Sequence, residues 1–341
     1  MDDLDRQIAA ALQINGRATW LQIARAVDSS ESTVARRAQR LIEQGVLRIA
    51  AVTDPGRAGF GYPVLVQLRC GPAAAPRVAD ILADRVDTRF LALVTGTFDI
   101  VMELIVPSRR YLANVLLNEL TAIEGIGETT TESVVRNFKT SYDWSRALLG
   151  EAADELQGTF GATAVQGGAA TLDPIDLELV QLLNEDGRRS FADLAARLGI
   201  SESVARRRVH SMCASGSMSF ATFVAPELLG YDVELMCWLR VELARLDEVA
   251  STLATLPEVR YLSATSGYSD LICEIILRSQ DDLYDFSTKT LASLDGVYSV
   301  NFALELQTVK RAHLRMDRIG ESQSAPPPPG GPQRRDWHPS S

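Results

Sequence analysis

Apolar residues recur at helical spacing over residues 3–45 and then switch to alternation. Ile8, Ala11 and Leu12 share one face of a first predicted helix. Ile23 and Ala24 face inward on a second, from about Trp20 to Val27. Val34, Ala38 and Leu41 form a stripe on a third, which starts after Ser30. Ser30 has the short hydroxyl side chain that caps a helix start. Arg48 to Val52 alternates like a short strand. From Tyr62 the pattern predicts a strand over 64–70, an Ala-rich helix over 73–84 and a hairpin of 90–95 and 100–106 around Gly96-Thr97-Phe98-Asp99. A helix over 109–122, ending near Gly125, and a last strand over 129–138 complete it. The order β-α-β-β-α-β is the ferredoxin-like, or split β-α-β, motif.

The whole pattern occurs twice. Sliding the chain against itself by 171 positions, without a gap, lays Asp5 on Asp176, Gly16-Arg17 on Gly187-Arg188 and Ser30-Glu31-Ser32 on Ser201-Glu202-Ser203. It also lays Arg36-Arg37 on Arg207-Arg208, Gly96 on Gly267, Asp99 on Asp270 and Lys139 on Lys310. The second copy therefore has helices near 174–185, 191–198 and 202–215, the last capped by Ser201, then a strand from Phe220 to Val224 and its own β-α-β-β-α-β run. The predicted fold is α+β in tandem duplication. Two winged helix-turn-helix domains (1–52 and 172–224) alternate with two ferredoxin-like effector domains (60–143 and 231–316). Residues 144–171, rich in Gly, Ala, Thr and Gln toward their end, predict a flexible linker. The Pro-, Gly- and Ser-rich stretch 317–341 predicts a disordered tail.

The hairpin strands add a constraint. Residues 100–106 (IVMELIV) and 271–277 (LICEIIL) are apolar on both faces apart from Glu103 and Glu274. Two helices cover only one face of such a sheet, so the other is expected against an equivalent sheet, from the sister module or another chain.

Composition narrows the class. Hydrophobic content of 46% and charged content of 23% fit a soluble globular protein. No apolar run approaches the roughly 18 residues of a membrane span. The opening Met1-Asp-Asp-Leu-Asp-Arg is acidic and unlike a signal or transit peptide, so a cytoplasmic location is expected. Cys70, Cys213, Cys237 and Cys273 form no C-x-x-C and read as buried free thiols. His210, His313 and His338 are the only histidines, too few and too scattered for a metal site or a Ser-His-Asp triad. No catalytic residue, metal or cofactor is expected.

A net charge of −10 summed over the chain argues against nucleic acid, but phosphates sense the local field. From Gly187 to Gly216 six arginines face Asp193 and Glu202, a balance of +4. From Ser29 to Arg48 four arginines face Glu31 and Glu43, a balance of +2. A helix-turn-helix lays its third helix in the major groove. With the apolar stripe inward, the outward set is Ser32, Thr33, Arg36, Arg37 and Arg40 in copy one, and Ser203, Arg206, Arg207, Arg208 and His210 in copy two. With Ser30 and Ser201 at the helix starts, the serines, threonine and arginines are the DNA-binding candidates. Hydroxyls suit base edges, and arginines suit guanine or phosphate. A three-helix bundle with a solvated arginine face has the same spacing, but duplication of both the bundle and the domain behind it favours DNA binding. The Gly-x-x-Asp turns are ordinary hairpin chemistry. They also suit an effector pocket where two sheets meet. Gly96, Asp99, Gly267 and Asp270 would line it, and the carboxylates would hold an amine such as that of an amino acid.

The order of elements and several short motifs resemble the Lrp/AsnC transcriptional regulators. The motifs are Leu4-Asp5-Arg6…Leu12…Asn15-Gly16-Arg17, Ser30-x-Ser32-Thr33-Val34-x-Arg36-Arg37…Leu41…Gly45-Val46-Leu47, Thr95-Gly96-x-Phe98-Asp99, Glu124-Gly125-Ile126 and Thr129-Thr130-Thr131. The resemblance spans about 1–145 and 172–316. It implies double-stranded DNA as partner, sheet-to-sheet dimerisation and a small-molecule effector, typically an amino acid, bound between effector domains. The chain departs from the family in being fused, in Ser299-Val300-Asn301 where copy one has its Thr run, and in Ser217-Met218 after Gly216. Fusion implies an intrachain pseudo-dimer that associates further. Two other readings share the architecture. One is an Lrp-like siroheme decarboxylase, for which copy one supplies no histidine. The other is a metabolite sensor that has lost DNA binding, against which the in-register arginines argue.

Overall fold

Short polar side chains start the helices of the first module. Asp2 caps α1 (Asp3–Ile14), a Thr19/Gln22 capping box starts α2 (Trp20–Ala26), and Ser30 Oγ accepts from the Thr33 N–H to start α3 (Glu31–Glu43). Val34, Ala38 and Leu41 meet Ile8, Leu12 and Ile23 in one core, as their spacing predicts. There follow β1 (Arg48–Thr53), β2 (Tyr62–Cys70), α4 (Ala75–Ala83), β3 (Thr88–Val94), β4 (Ile100–Val106), α5 (Arg109–Asn114), β5 (Ile126–Thr140) and a short α6 (Ala152–Glu155). The second module comprises α7 (Pro174–Glu185), α8 (Phe191–Leu198), α9 (Glu202–Ala214), β6 (Met218–Phe223), β7 (Val233–Val241), α10 (Leu246–Thr255), β8 (Val259–Ser266), β9 (Leu271–Leu277), α11 (Gln280–Asp285), β10 (Val297–Arg311) and β11 (Leu314–Arg315). α5 and α11 each run on through a π-helical turn, Val115–Glu119 and Phe286–Thr290, so the two copies share even this irregularity. The computed structural model describes residues 1–158, 160 and 172–316. The predicted tail and residues 159 and 161–171 of the predicted linker lie outside the described residues.

Each effector domain contributes four antiparallel strands, in the order β5-β2-β4-β3 in copy one and β10-β7-β9-β8 in copy two. Their edges then join. β5 pairs with β2 through Ile126–Ser133 and with β8 through Ser133–Thr140, while β10 pairs with β7 through Val297–Leu304 and with β3 through Glu305–Arg311. Two fifteen-residue strands thus splice the sheets into a closed eight-stranded ring, which leaves no sheet edge unpaired between the copies. Leu65, Val101, Met236 and Ile272 fill its interior. α4 covers Val64, Val66 and Met102 from outside, and α10 covers Leu235 and Cys273. β4 and β9 are buried along their full length, which accounts for apolar residues on both faces.

Two expectations are corrected. A wing would be a hairpin within each helix-turn-helix module. Instead β1 pairs with β6 across the modules, Arg48 opposite Phe223 through Thr53 opposite Met218. One face of this ribbon sends Ile49 into the first helical core and Ala51, Met218 and Phe220 into the second. The other face sets Ala50, Val52, Ala221 and Phe223 against Ala312 and Leu314. Residues 144–156 are not a tether either. Trp144, Ala153 and Leu156 are buried in the first helical core, the Trp144 ring stands edge-on to Tyr231 at 5.2 Å, and Asn15 Nδ2 donates to the Leu156 carbonyl at 3.2 Å.

Candidate nucleic-acid and effector sites

The recognition helices α3 and α9 expose their first turns. Ser30 and Ser201 act as caps, their hydroxyls accepting from Thr33 N–H and Val204 N–H, and each also contacts the next exposed hydroxyl, Ser32 or Ser203. The helix-turn-helix bend needs a left-handed residue, and the two copies fill it differently, with Asp28 (φ 47°) and Gly199 (φ 65°).

The arginines separate into two groups. Arg37 donates to Asp2 at 2.6 Å and to Asp5 at 2.9 Å, and Arg40 donates to Asp5 at 2.7 Å. Arg208 repeats this with Asp173 at 2.7 Å and Asp176 at 2.9 Å. These three pin the recognition helix to the first helix of its own module instead of reaching outward. Arg206 is exposed but pairs with Glu202 one turn back and lies over the Phe191 ring. Arg36 and Arg207, equivalent positions, are exposed and carry no ion pair among the described residues. His210 is not free on the outer face, because its ring packs on Phe160 at 4.7 Å and on Phe191 at 6.3 Å. The +4 balance of copy two is therefore largely consumed inside the protein. Arg188 and Arg189 are engaged as well, and Arg197 pairs with Asp193. Each recognition helix presents one arginine, Arg36 or Arg207, without an ion pair among the described residues, so the two helices are more alike than their charge counts.

The Gly-Arg motif that marks the repeat has a role that spacing alone does not reveal. Arg17 donates to the carbonyls of Gly187 and Arg189 at 2.7 and 3.1 Å, while Arg188 donates to those of Gly16 and Ala18 at 2.8 and 3.0 Å. Each guanidinium also lies over an aromatic ring at the start of the opposite second helix, Arg17 over Phe191 at 4.8 Å and Arg188 over Trp20 at 3.9 Å. This reciprocal clasp holds the two helix-turn-helix units as a pair. Burial, and then the charge of Arg17, lowers Arg188 to about 10. The glycines permit the approach: a Cβ at Gly187 would lie 2.9 Å from the Ala50 nitrogen and the Ile49 carbonyl carbon.

In the effector domains, Asp99 and Asp270 are tied to backbone. Their Oδ2 atoms accept from Cys70 N–H at 2.7 Å and Val241 N–H at 2.8 Å, and their own N–H groups donate to Leu68 and Leu239. The expected hold on an amine gives way to a clamp on the neighbouring strand end. Gly96 and Gly267 sit at the tips, against β10 and β5 of the opposite copy.

The ring interior carries a charge cluster that sequence reasoning noted only as two odd glutamates. Glu103 pairs with Arg89 at 2.5 Å and accepts from the Tyr261 hydroxyl at 3.2 Å. Glu274 pairs with Arg260 and with Arg311, and Arg260 also reaches Glu234. Burial pushes the Glu274 carboxyl up, but the charges of Arg260 and Arg311 outweigh it and hold the carboxyl well below its usual range. Burial, then the charges of Glu274 and Glu234, pushes the Glu305 carboxyl well above its usual range. Glu234, Glu274 and Glu305 bring carboxylate oxygens within 4.8 Å of one another. Arg260 and Arg311 already supply the countercharge a metal would bring. Cys213, Cys237 and Cys273 are buried free thiols as expected, and Cys70 is partly exposed. Among the described residues no helix is long and apolar enough to cross a membrane.

Comparison with known proteins places these features in a family. The AsnC-type helix-turn-helix domain matches residues 1–42 and 172–212, and the Lrp/AsnC ligand binding domain matches 63–144 and 234–314. An uncharacterized HTH-type transcriptional regulator of Pyrococcus abyssi is 34% identical over 146 residues, which is 42% of this chain and 92% of the relative. The HTH-type transcriptional regulator Ptr1 of Methanocaldococcus jannaschii is 31% identical over 140 residues, 41% of this chain and 95% of the relative. These relatives correspond to a single module. Among solved structures, the siroheme decarboxylase NirDL superposes with a TM-score of 0.60 over 91% of this chain and 93% of its own, at 14% identity, a likeness of fold alone. Two helix-turn-helix units, two ligand-binding domains and these relatives make the chain a member of the Lrp/AsnC family of transcriptional regulators, with two family modules in one polypeptide.

Proposed function

We propose that the chain binds double-stranded DNA sequence-specifically as an intrachain pseudo-dimer and answers to a small metabolite, an amino acid or a relative of one, held at its effector domains. The observation that supports this most is the reciprocal Arg17/Arg188 clasp with the shared β1–β6 ribbon. It fixes two recognition helices to each other, each with exposed hydroxyls at its start and one unpaired arginine, Arg36 or Arg207. Ser32, Thr33 and Ser203 are assigned to base edges, and Arg36 and Arg207 to phosphate or guanine. The two helices differ in sequence, so the operator need not be a palindrome. The chain works in the cytoplasm, and pseudo-dimers associate further.

The filled ring interior favours a regulator over tetrapyrrole chemistry. The space lined by Arg89, Glu103, Arg260, Tyr261 and Glu274 is a cavity of about 50 Å³, too small for a tetrapyrrole, and the cleft of about 280 Å³ that adjoins it at Arg260 and Arg311 lies outside that interior space. Selection of bound fragments from the cognate genome, with and without a panel of amino acids, tests the proposal. Enrichment of a common sequence that the panel shifts is expected. Absence of any enriched fragment, with release of CO₂ from an added uroporphyrin-type tetrapyrrole, would overturn it.

A further inference from the structure

The two Gly-x-x-Asp turns are equivalent in sequence position but not in occupancy. At the Gly267–Asp270 turn the carboxylate of Glu132, which is buried on β5 of the opposite copy, accepts from Tyr268 N–H at 2.9 Å and Ser269 N–H at 3.2 Å. It also accepts from the Ser269 hydroxyl at 3.1 and 3.0 Å. A Cβ at Gly267 would collide with the Glu132 side chain, so the glycine is what admits it. At the other turn the partner position, 171 residues on, is Ala303. A Cβ at Gly96 would meet only the Ala303 methyl and the Phe302 carbonyl, at 4.0 and 3.9 Å. The equivalent N–H groups, of Thr97 and Phe98, have no acceptor among the described residues. Arg69 stands beside them, its Nε donating to the Thr97 carbonyl at 3.0 Å and its half-exposed guanidinium paired with the exposed Glu128 carboxylate at 3.5 Å.

We infer that Glu132 is a built-in carboxylate ligand that closes the copy-two turn, and that the copy-one turn is a seat for a free small carboxylate, such as the α-carboxylate of an amino acid, bound by Thr97 N–H and Phe98 N–H beside Arg69. Two adjacent backbone N–H groups in a turn form an anion-binding concavity, and the same chain shows a carboxylate sitting in one. The inference rests on the effector reading above and deepens it: a dimer of identical modules would have two such seats, and this chain has one.

Site-resolved amide NMR on the full chain, titrated with sodium acetate, tests it. In the unaltered protein the Thr97 and Phe98 amides should shift with acetate, while those of Tyr268 and Ser269 stay still. In Glu132→Ala the responsive set should grow from one turn to two. In Ala303→Glu it should fall to none. Silence of Thr97 and Phe98, or equal response of both turns in the unaltered protein, would overturn the inference, and that comparison needs no variant to fold. Acetate reports on the turns without DNA, so failure here leaves DNA binding standing, and failure of DNA binding leaves this result standing.

Discussion

Arg37 and Arg208 look like their neighbours in sequence, but their partners are aspartates some thirty residues back, at the start of the first helix of the same bundle. Removing the neighbours should therefore have a different effect. Arg36→Ala with Arg207→Ala should weaken DNA binding and lower the slope of log K against log salt by about 0.9 for each phosphate that is no longer neutralised, with stability nearly unchanged. Arg208→Ala should instead cost about 0.5–1 kcal/mol of stability, measured by urea unfolding, because it frees a helix that two aspartates restrained. An unchanged salt slope in the double variant would remove both arginines from the interface. His313 gives a pH prediction. Burial, then the charges of Arg89 and Lys310, lowers it to about 4. The folded state thus binds this proton more weakly than the unfolded chain. Stability should fall as pH drops from about 6.5 toward 4, and His313→Asn, which tolerates the left-handed backbone there (φ 69°), should flatten that part of a Tm-against-pH curve. None of these distinctions was legible in the sequence. Spacing shows which side a residue faces, but not which carboxylate from another helix meets it.

At the scale of elements, the β-α-β-β-α-β order and the helix triplets were legible to within a few residues, because burying one face imposes a period on each local segment. What pairs with what was not. β1 alternates like a wing strand, yet its partner is the equivalent strand of the other module, and no local pattern carries that information. Residues 144–156 failed for a different reason: Trp144 and Leu156 are widely spaced anchors in an otherwise Ala- and acid-rich stretch, so no period emerges, and only the packed core shows what they do. The ribbon and clasp make a prediction at this scale. Gly187→Ala should destabilise the helix-turn-helix pair by about 1–3 kcal/mol, since the new methyl meets backbone atoms of β1. Gly16→Ala meets the Ile49 Cγ2 methyl at 2.9 Å, a side chain that can yield, and should cost less. Equal losses in urea midpoint for the two variants would mean that the clasp is looser than its distances indicate.

For the whole molecule, fusion changes the thermodynamics of pairing. A two-chain dimer unfolds at a temperature that rises with concentration, whereas a pseudo-dimer closed within one chain should show a Tm independent of dilution once it is dilute enough that pseudo-dimers no longer associate with one another. A protease site placed between residues 161 and 171, cut after folding, should leave two fragments that still elute together, held by the ring and the ribbon. Separation on dilution would show that the covalent link, not the interface, does the holding.

The closed ring also has a genetic consequence. Both splice strands are satisfied by their own polypeptide, so among the described residues the eight-stranded ring offers no open edge by which a defective copy could capture a sound one. In a cell that expresses the normal gene beside one with Arg36 and Arg207 replaced, the altered allele should be recessive at the level of pairing. A separate-subunit relative with the same lesion would poison its partner and act as a dominant negative.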